Sequence, residues 1–183
     1  MKLLSVLSII LTVTVLTASM CRKKTVDPID QLPPETQTGA NTFGCLVDGK
    51  VFLPKGDPFA GPVKKAQYQI VNGRQGFGVS AKNSTSGLVK GVGIHGDSVS
   101  INVGTYNLAD YNTMGILSGS YAEFLSGNIN EFYTNTINRG QLVIKKFDTV
   151  NQIVSGTFWF DAKNSSGQIV QIREGRFDMP YVR

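Results

Sequence analysis

Between Gln141 and Val182, apolar residues return at every second position in short runs that end at polar turns, and this pattern constrains the fold more than any other in the chain. The runs Gln141 to Phe147, Gln152 to Ala162, Gln168 to Arg173 and Arg176 to Val182 predict an antiparallel meander. In the second run Val154, Phe158, Phe160 and Ala162 share one face, while Ser155, Thr157, Trp159 and Asp161 share the other. The last run repeats the pattern, with Phe177, Met179 and Tyr181 opposite Arg176 and Asp178.

No window sustains helical spacing, so the rest of the folded region is expected to be β as well. Phe43 to Val47 and Lys50 to Pro54 flank Asp48-Gly49, a dipeptide suited to the positive φ angles of a two-residue hairpin turn. Asn72-Gly73 separates Gln67 to Val71 from Gly76 to Lys82 in the same way. Further strands are expected at Leu88 to Ile94, Ser98 to Val103, Gly119 to Leu125 and Glu131 to Asn135. The alternation lapses between Tyr106 and Ser118, which predicts a long loop or a short helical turn. About ten to twelve such strands must bury two inner faces, which favours an all-β antiparallel sandwich, with a closed lipocalin-like barrel as the alternative. A barrel with an apolar lumen would carry a small apolar ligand.

The N-terminus reads differently. Lys2, an uncharged run from Leu3 to Leu16, and the small residues Ala18 and Ser19 before Cys21 follow the order of a secretory signal peptide. Ala18 to Cys21 resembles the lipobox of bacterial lipoproteins, with Met20 departing from the small residue usual beside the cysteine. The resemblance implies a signal peptide over residues 1–20, lipid attachment at Cys21 and a covalent membrane anchor. An uncleaved membrane anchor and a secreted form with Cys21 paired to Cys45 are the alternatives. Residues 21–41 carry Pro28, Pro33 and Pro34 among polar residues and are expected to be a flexible tether, leaving 42–183 as a single domain. Arg22, Lys23 and Lys24 stand where surface-exported lipoproteins of the Bacteroidetes type carry acidic residues. This implies a periplasm-facing outer-membrane protein, with the cell surface as the alternative.

Other segments extend the resemblance. LPPETQTGANTFGCLVDGKVFLP (Leu32 to Pro54), Ile153 to Phe158, the turn Asp161 to Gly167 and GRFDMPY (Gly175 to Tyr181) look like a family of Bacteroidetes envelope lipoproteins known only as a domain of unknown function. Pro58 to Arg139 carries no such likeness. The resemblance implies an all-β envelope lipoprotein and brings no active-site residues with it.

The residues themselves offer little chemistry. The chain has one histidine, His95, so a multi-histidine metal site is excluded, and a lone imidazole needs a nucleophile and an orienting carboxylate to act as a base. No nucleophile elbow, Ser-x-x-Lys start or phosphate-cradling loop occurs. Glu123, Glu131 and Asp161 are candidates for a carboxylate pair acting on glycans, the alternative class of function. Asp161 to Gly167, with Asn164, Ser165 and Ser166, lacks EF-hand spacing and reads as a turn held by side-chain to backbone bonds. Cys45 is expected to be a buried, unreactive thiol beside Phe52. The net charge of +5 is mild and shows no basic stripe interleaved with aromatics, so no nucleic acid is expected as a partner. Trp159, on the polar face of its strand, is the candidate ligand contact, an indole able to stack on sugar rings. Asp97-Ser98-Val99 and Asp148-Thr149-Val150 make Ser98 and Thr149 candidate O-glycosylation sites, whereas the sequons at Asn83 and Asn164 have little weight. No cofactor is expected. The reading is a non-enzymatic, lipid-anchored binding or structural accessory of the cell envelope, with a glycan or an envelope protein as partner.

Overall fold

A computed structural model describes residues 26–56, 61–71, 73–85 and 87–183. The signal-like run, Cys21 and the Arg22 to Lys24 triplet lie outside the described residues. Among the described residues a single 3-10 turn, Pro28–Gln31, precedes eleven strands. They are β1 (Thr42–Val47), β2 (Lys50–Phe52), β3 (Lys64–Val71), β4 (Arg74–Thr85), β5 (Leu88–Asp97) and β6 (Gly104–Leu108). They continue with β7 (Ser118–Leu125), β8 (Asn128–Tyr133), β9 (Gly140–Asp148), β10 (Ile153–Lys163) and β11 (Ile169–Pro180).

All of them join one antiparallel sheet in the order β2-β1-β11-β10-β8-β7-β5-β4-β3. β10 forks this order, because Ile153 to Phe160 pairs with β9 while Lys163 alone pairs with Tyr133 of β8; β6 then lies outside β9. The far edge curls back. Gln67 of β3 pairs in parallel with Val182, through Tyr68 N–H to the Val182 carbonyl at 2.9 Å and Val182 N–H to Ala66 at 3.1 Å. The result is a half-barrel, joined at the Val182 end and open where β1 and β2 face β7 and β8. The two inner layers expected of a sandwich are thus supplied by one sheet folded on itself.

That concave face is filled. Phe160, Leu142, Ile172 and Val154 have no exposed surface, and Phe43, Phe158 and Phe177 pack their rings at centroid distances of 5.5 and 6.3 Å. The alternation in β10 and β11 falls as read, with Val154, Phe158, Phe160, Ala162, Phe177, Met179 and Tyr181 all buried. Asp48 and Gly49 take φ of 48° and 74° in the first hairpin turn, and Gly73 takes 76° in the second, where Asn72 lies outside the described residues.

Three expectations are corrected. Ser98 to Val103 is a loop, not a strand; Val99 and Ile101 alternate because they plug the core from that loop, and the strand is β6, which runs from Gly104 into the start of the stretch where alternation lapses. The two runs Gln168 to Arg173 and Arg176 to Val182 fall largely in one strand, β11, because Glu174 at φ 53° absorbs an extra residue as a bulge instead of turning the chain. Gly175 fits there because a Cβ would come within 2.5 Å of the Phe158 ring. The segment read as a tether is docked from Pro28 onward. Leu32 is 7% exposed, Pro33 packs on Gly44, and Asp178, itself 1% exposed, accepts hydrogen bonds from Thr36, Thr38, Gly39 and Ala40. Its polar composition hides this because, beyond the apolar packing of Leu32 and Pro33, a buried carboxylate on the sheet orders it.

Candidate functional site

Two bulges shape the outer face of the meander. On β11, Arg173 and Glu174 together stand opposite Trp159, because Phe158 pairs with Gly175 and Phe160 with Ile172. On β9, Lys145 is the extra residue between the pairs Lys146 with Ser155 and Ile144 with Gly156. Bulges re-aim side chains, and here they turn Arg173, Glu174 and Lys145 around Trp159. The indole is 43% exposed. Arg173 places its guanidinium 5.5 Å from the ring centroid while its Nη2 donates to Asp161 at 2.6 Å and its Nη1 to the Phe160 and Ile172 carbonyls. Trp159 therefore has a preset orientation, one side backed by a fixed cation. The ring lines a groove of about 370 Å³ with Gln141, Thr157, Lys145, Glu174 and Glu35, the last contributed by the N-terminal segment and ion-paired to Lys145.

A second concavity, about 410 Å³, occupies the open mouth of the half-barrel. Lys90 and Glu123 project into it from the same faces as Val92 and Tyr121. The Tyr121 hydroxyl donates to Glu123 Oε1 at 2.5 Å, and Lys90 Nζ lies 3.0 Å from the same oxygen. The bond from Tyr121, followed by that from Lys90, holds the Glu123 carboxyl below its usual range against the opposing effect of burial. Burial, then the Glu123 contact, pushes the Tyr121 phenol far up, so both groups keep their ordinary neutral-pH forms. Sequence reading missed this cluster, although a Lys in register with Val92 and Ile94 was its signal.

The candidate carboxylates are not brought together. Glu123 faces inward, whereas Glu131, opposite Ala122, faces outward beside Tyr133, whose phenol burial and this carboxylate push up to about 12. Asp161 is spent on Arg173. His95 lies on the outer face of β5, its ring nearly perpendicular to that of Tyr111 with 5.5 Å between centroids; burial lowers its pKa and Asp97 partly offsets this. The hydroxyl of its neighbour Ser118 donates to the His95 carbonyl, not to the imidazole. Cys45 is fully buried opposite Phe52, and burial pushes its thiol well up, as expected of an inert core residue. Ser98 and Thr149 are exposed on turns. The Asp161 to Gly167 turn is closed by Asn164, whose Oδ1 accepts from Gln168 N–H at 2.8 Å. No group of His, Cys, Asp and Glu suited to a metal ion occurs among the described residues.

A family model described as a domain of unknown function, DUF6252, matches residues 80–179. The chain belongs to the DUF6252 family. The DUF6252 match runs from the middle of β4 to the end of β11, so it holds Trp159, Arg173, Lys90 and Glu123, while Glu35 and the first hairpin lie before it. It also takes in much of Pro58 to Arg139, where the sequence alone offered no likeness, and leaves Leu32 to Pro54 outside. No curated protein and no solved structure matches this DUF6252 chain.

Proposed function

We propose that this DUF6252 protein is a lipid-anchored accessory of the cell envelope that binds glycan chains along the Trp159 groove. The observation that carries the reading is the half-exposed indole, preset by Arg173 on a groove that Gln141, Thr157, Lys145 and Glu174 also line. An apolar ring face offers area to the C–H face of a sugar, and Gln141, Thr157 and Glu174 offer partners to its hydroxyls. An open groove on a sheet face suits the interior of a chain. The anchor is supported by the Lys2 to Cys21 pattern, and a periplasm-facing outer-membrane position by the basic triplet after Cys21. Ser98 and Thr149 are the proposed O-glycosylation positions, both exposed.

Trp159 is the only tryptophan, so its fluorescence reports directly on the site. Titration of the purified chain with envelope oligosaccharides is expected to shift the emission saturably, with affinity falling at least about tenfold in Gln141→Ala. Emission unmoved by every oligosaccharide tried at millimolar concentration would defeat the binding reading. For the anchor, Cys21→Ala is expected to release the chain from membranes, and retention of that variant would overturn lipid attachment. Protease treatment of intact cells then decides the side, with protection until the outer membrane is opened expected.

A further inference from the structure

The mouth of the half-barrel is built differently from the groove. Lys90, Glu123 and Asn130 stand in one cross-strand row, because Lys90 pairs with Glu123 and Glu123 with Asn130. Glu123 Oε1 takes both the Tyr121 hydroxyl and Lys90, which leaves Oε2 without a partner among the described residues. Behind the row, Asn164 Nδ2 donates to Asn130 Oδ1 at 3.0 Å and to Gln168 Oε1 at 2.8 Å. An amide whose oxygen is held this way must turn its NH₂ group to the other side. Asn130 and Gln168 both line the mouth with their amide oxygens already engaged, so their NH₂ groups are the donors left for a ligand. Asn164, the donor that holds both amide oxygens, is itself buried at 8% exposure, while Asn130 and Gln168 are exposed.

Charge then selects the ligand. The facing hairpin adds Asp48 and Lys50 to Glu123 and Lys90, so each wall carries one cation and one anion and the formal charges cancel. A charged ligand would lose its hydration and meet no net field in return. A neutral polyhydroxy ring meets both kinds of partner, because every hydroxyl donates and accepts. Glu123 and Asn130, paired across β7 and β8, offer one acceptor oxygen and one amide donor, the complement of a vicinal diol in which one hydroxyl donates and its neighbour accepts. Phe52, Phe132 and Val170 give the C–H face an apolar floor, and the volume falls within the roughly 300–1,000 Å³ of small-ligand pockets.

We propose that the mouth binds a neutral hexopyranose ring, held through a vicinal diol by Glu123 and Asn130. The site is separate from the Trp159 groove and takes a single ring or a chain end. Saturation-transfer NMR on the full chain, with glucose, galactose, mannose and glucuronate as probes, tests it. At least one neutral hexose is expected to bind saturably in the millimolar range and to lose about tenfold or more in affinity in Asn130→Ala and Glu123→Gln. Asn130 is exposed and the Lys90 to Glu123 pair is half-exposed, so neither variant threatens the fold. Trp159→Ala is expected to leave hexose binding intact, which separates this site from the groove. The proposal is overturned if no hexose gives saturable transfer, if both variants bind as the parent does, if Trp159→Ala abolishes binding, or if glucuronate binds more tightly than every neutral hexose.

Discussion

Replacing Asp178 by Asn removes one charge and changes almost no volume, yet it strikes the contact that fixes the N-terminal segment to the sheet. Oδ2 accepts from Thr36 Oγ1 at 2.7 Å, Thr38 N–H at 2.9 Å, Ala40 N–H at 3.1 Å and Thr38 Oγ1 at 3.3 Å; Oδ1 accepts from Gly39 N–H at 2.8 Å. Bonds to a charged group contribute about 1.5–3 kcal/mol each, against about 0.5–1.5 for neutral ones. Asn keeps one oxygen for the Oδ2 set and turns NH₂ against the Gly39 N–H. Part of the lost charge assistance returns because a neutral amide is easier to bury. The net loss works out at about 3 kcal/mol. Urea denaturation measures it, and hydrogen exchange at Thr38, Gly39 and Ala40 shows whether the segment has come free. The pH dependence has a definite sign. Burial alone would raise the Asp178 pKa, but the donors from Thr36, Ala40, Thr38 and Gly39 outweigh it and hold the carboxyl below its usual value. The stabilisation is therefore complete above the unfolded-state value near pH 4 and is lost as pH falls through the lower folded value. Asp178→Asn is expected to flatten that acid-side slope. A variant within about 0.5 kcal/mol of the parent, with unchanged exchange at those amides, would refute the clamp.

Other substitutions test the packing around the two sites. Gly140→Ala would place a Cβ 2.2 Å from the Trp159 carbonyl, a backbone atom that cannot swing away, so a loss of about 3 kcal/mol or more is expected in thermal unfolding. Cys45 is expected to resist thiol reagents in the folded protein and to react only on unfolding, and Cys45→Ser is expected to cost about 1–3 kcal/mol by burying a hydroxyl. Arg173→Ala strips the guanidinium from Trp159 and the partner from Asp161. Its expected signature is a red-shifted tryptophan emission with a stability loss of about 1 kcal/mol, since the ion pair is partly solvated.

The inner and outer faces of β10 and β11 were legible because a period of two survives any curl of the sheet; Phe158 and Trp159 point opposite ways whichever strands flank them. The Asp48-Gly49 and Gly73 turns were legible for a local reason, the positive φ each requires. Ser98 to Val103 misled because a loop that pegs Val99 and Ile101 into the core alternates just as a strand does. The docked N-terminal segment was hidden because its order comes from a carboxylate about 140 residues away in sequence, a long-range polar contact with no periodicity of its own.

The candidate sites were half legible for the same reason. Trp159 could be placed on the outer face from its neighbours alone, but its groove depends on the extra residues at Lys145 and at Arg173-Glu174, and a bulge has no signature in alternation until pairing is known. The Glu-Gly pair at 174–175 reads as a turn in one dimension and is a bulge in three, because both neighbouring strands follow the shift, β1 at Cys45 and β10 at Trp159. In the sequence Glu123 is one of three carboxylates that could pair for catalysis. Register gives it Lys90 on one side and Asn130 on the other instead, and Tyr121 from its own strand. A carboxylate with a cation and a phenol on one oxygen cannot serve as a free general acid or base, but its second oxygen remains a fixed acceptor. The same residue thus moves from a catalytic reading to a binding one, and what moves it is strand register.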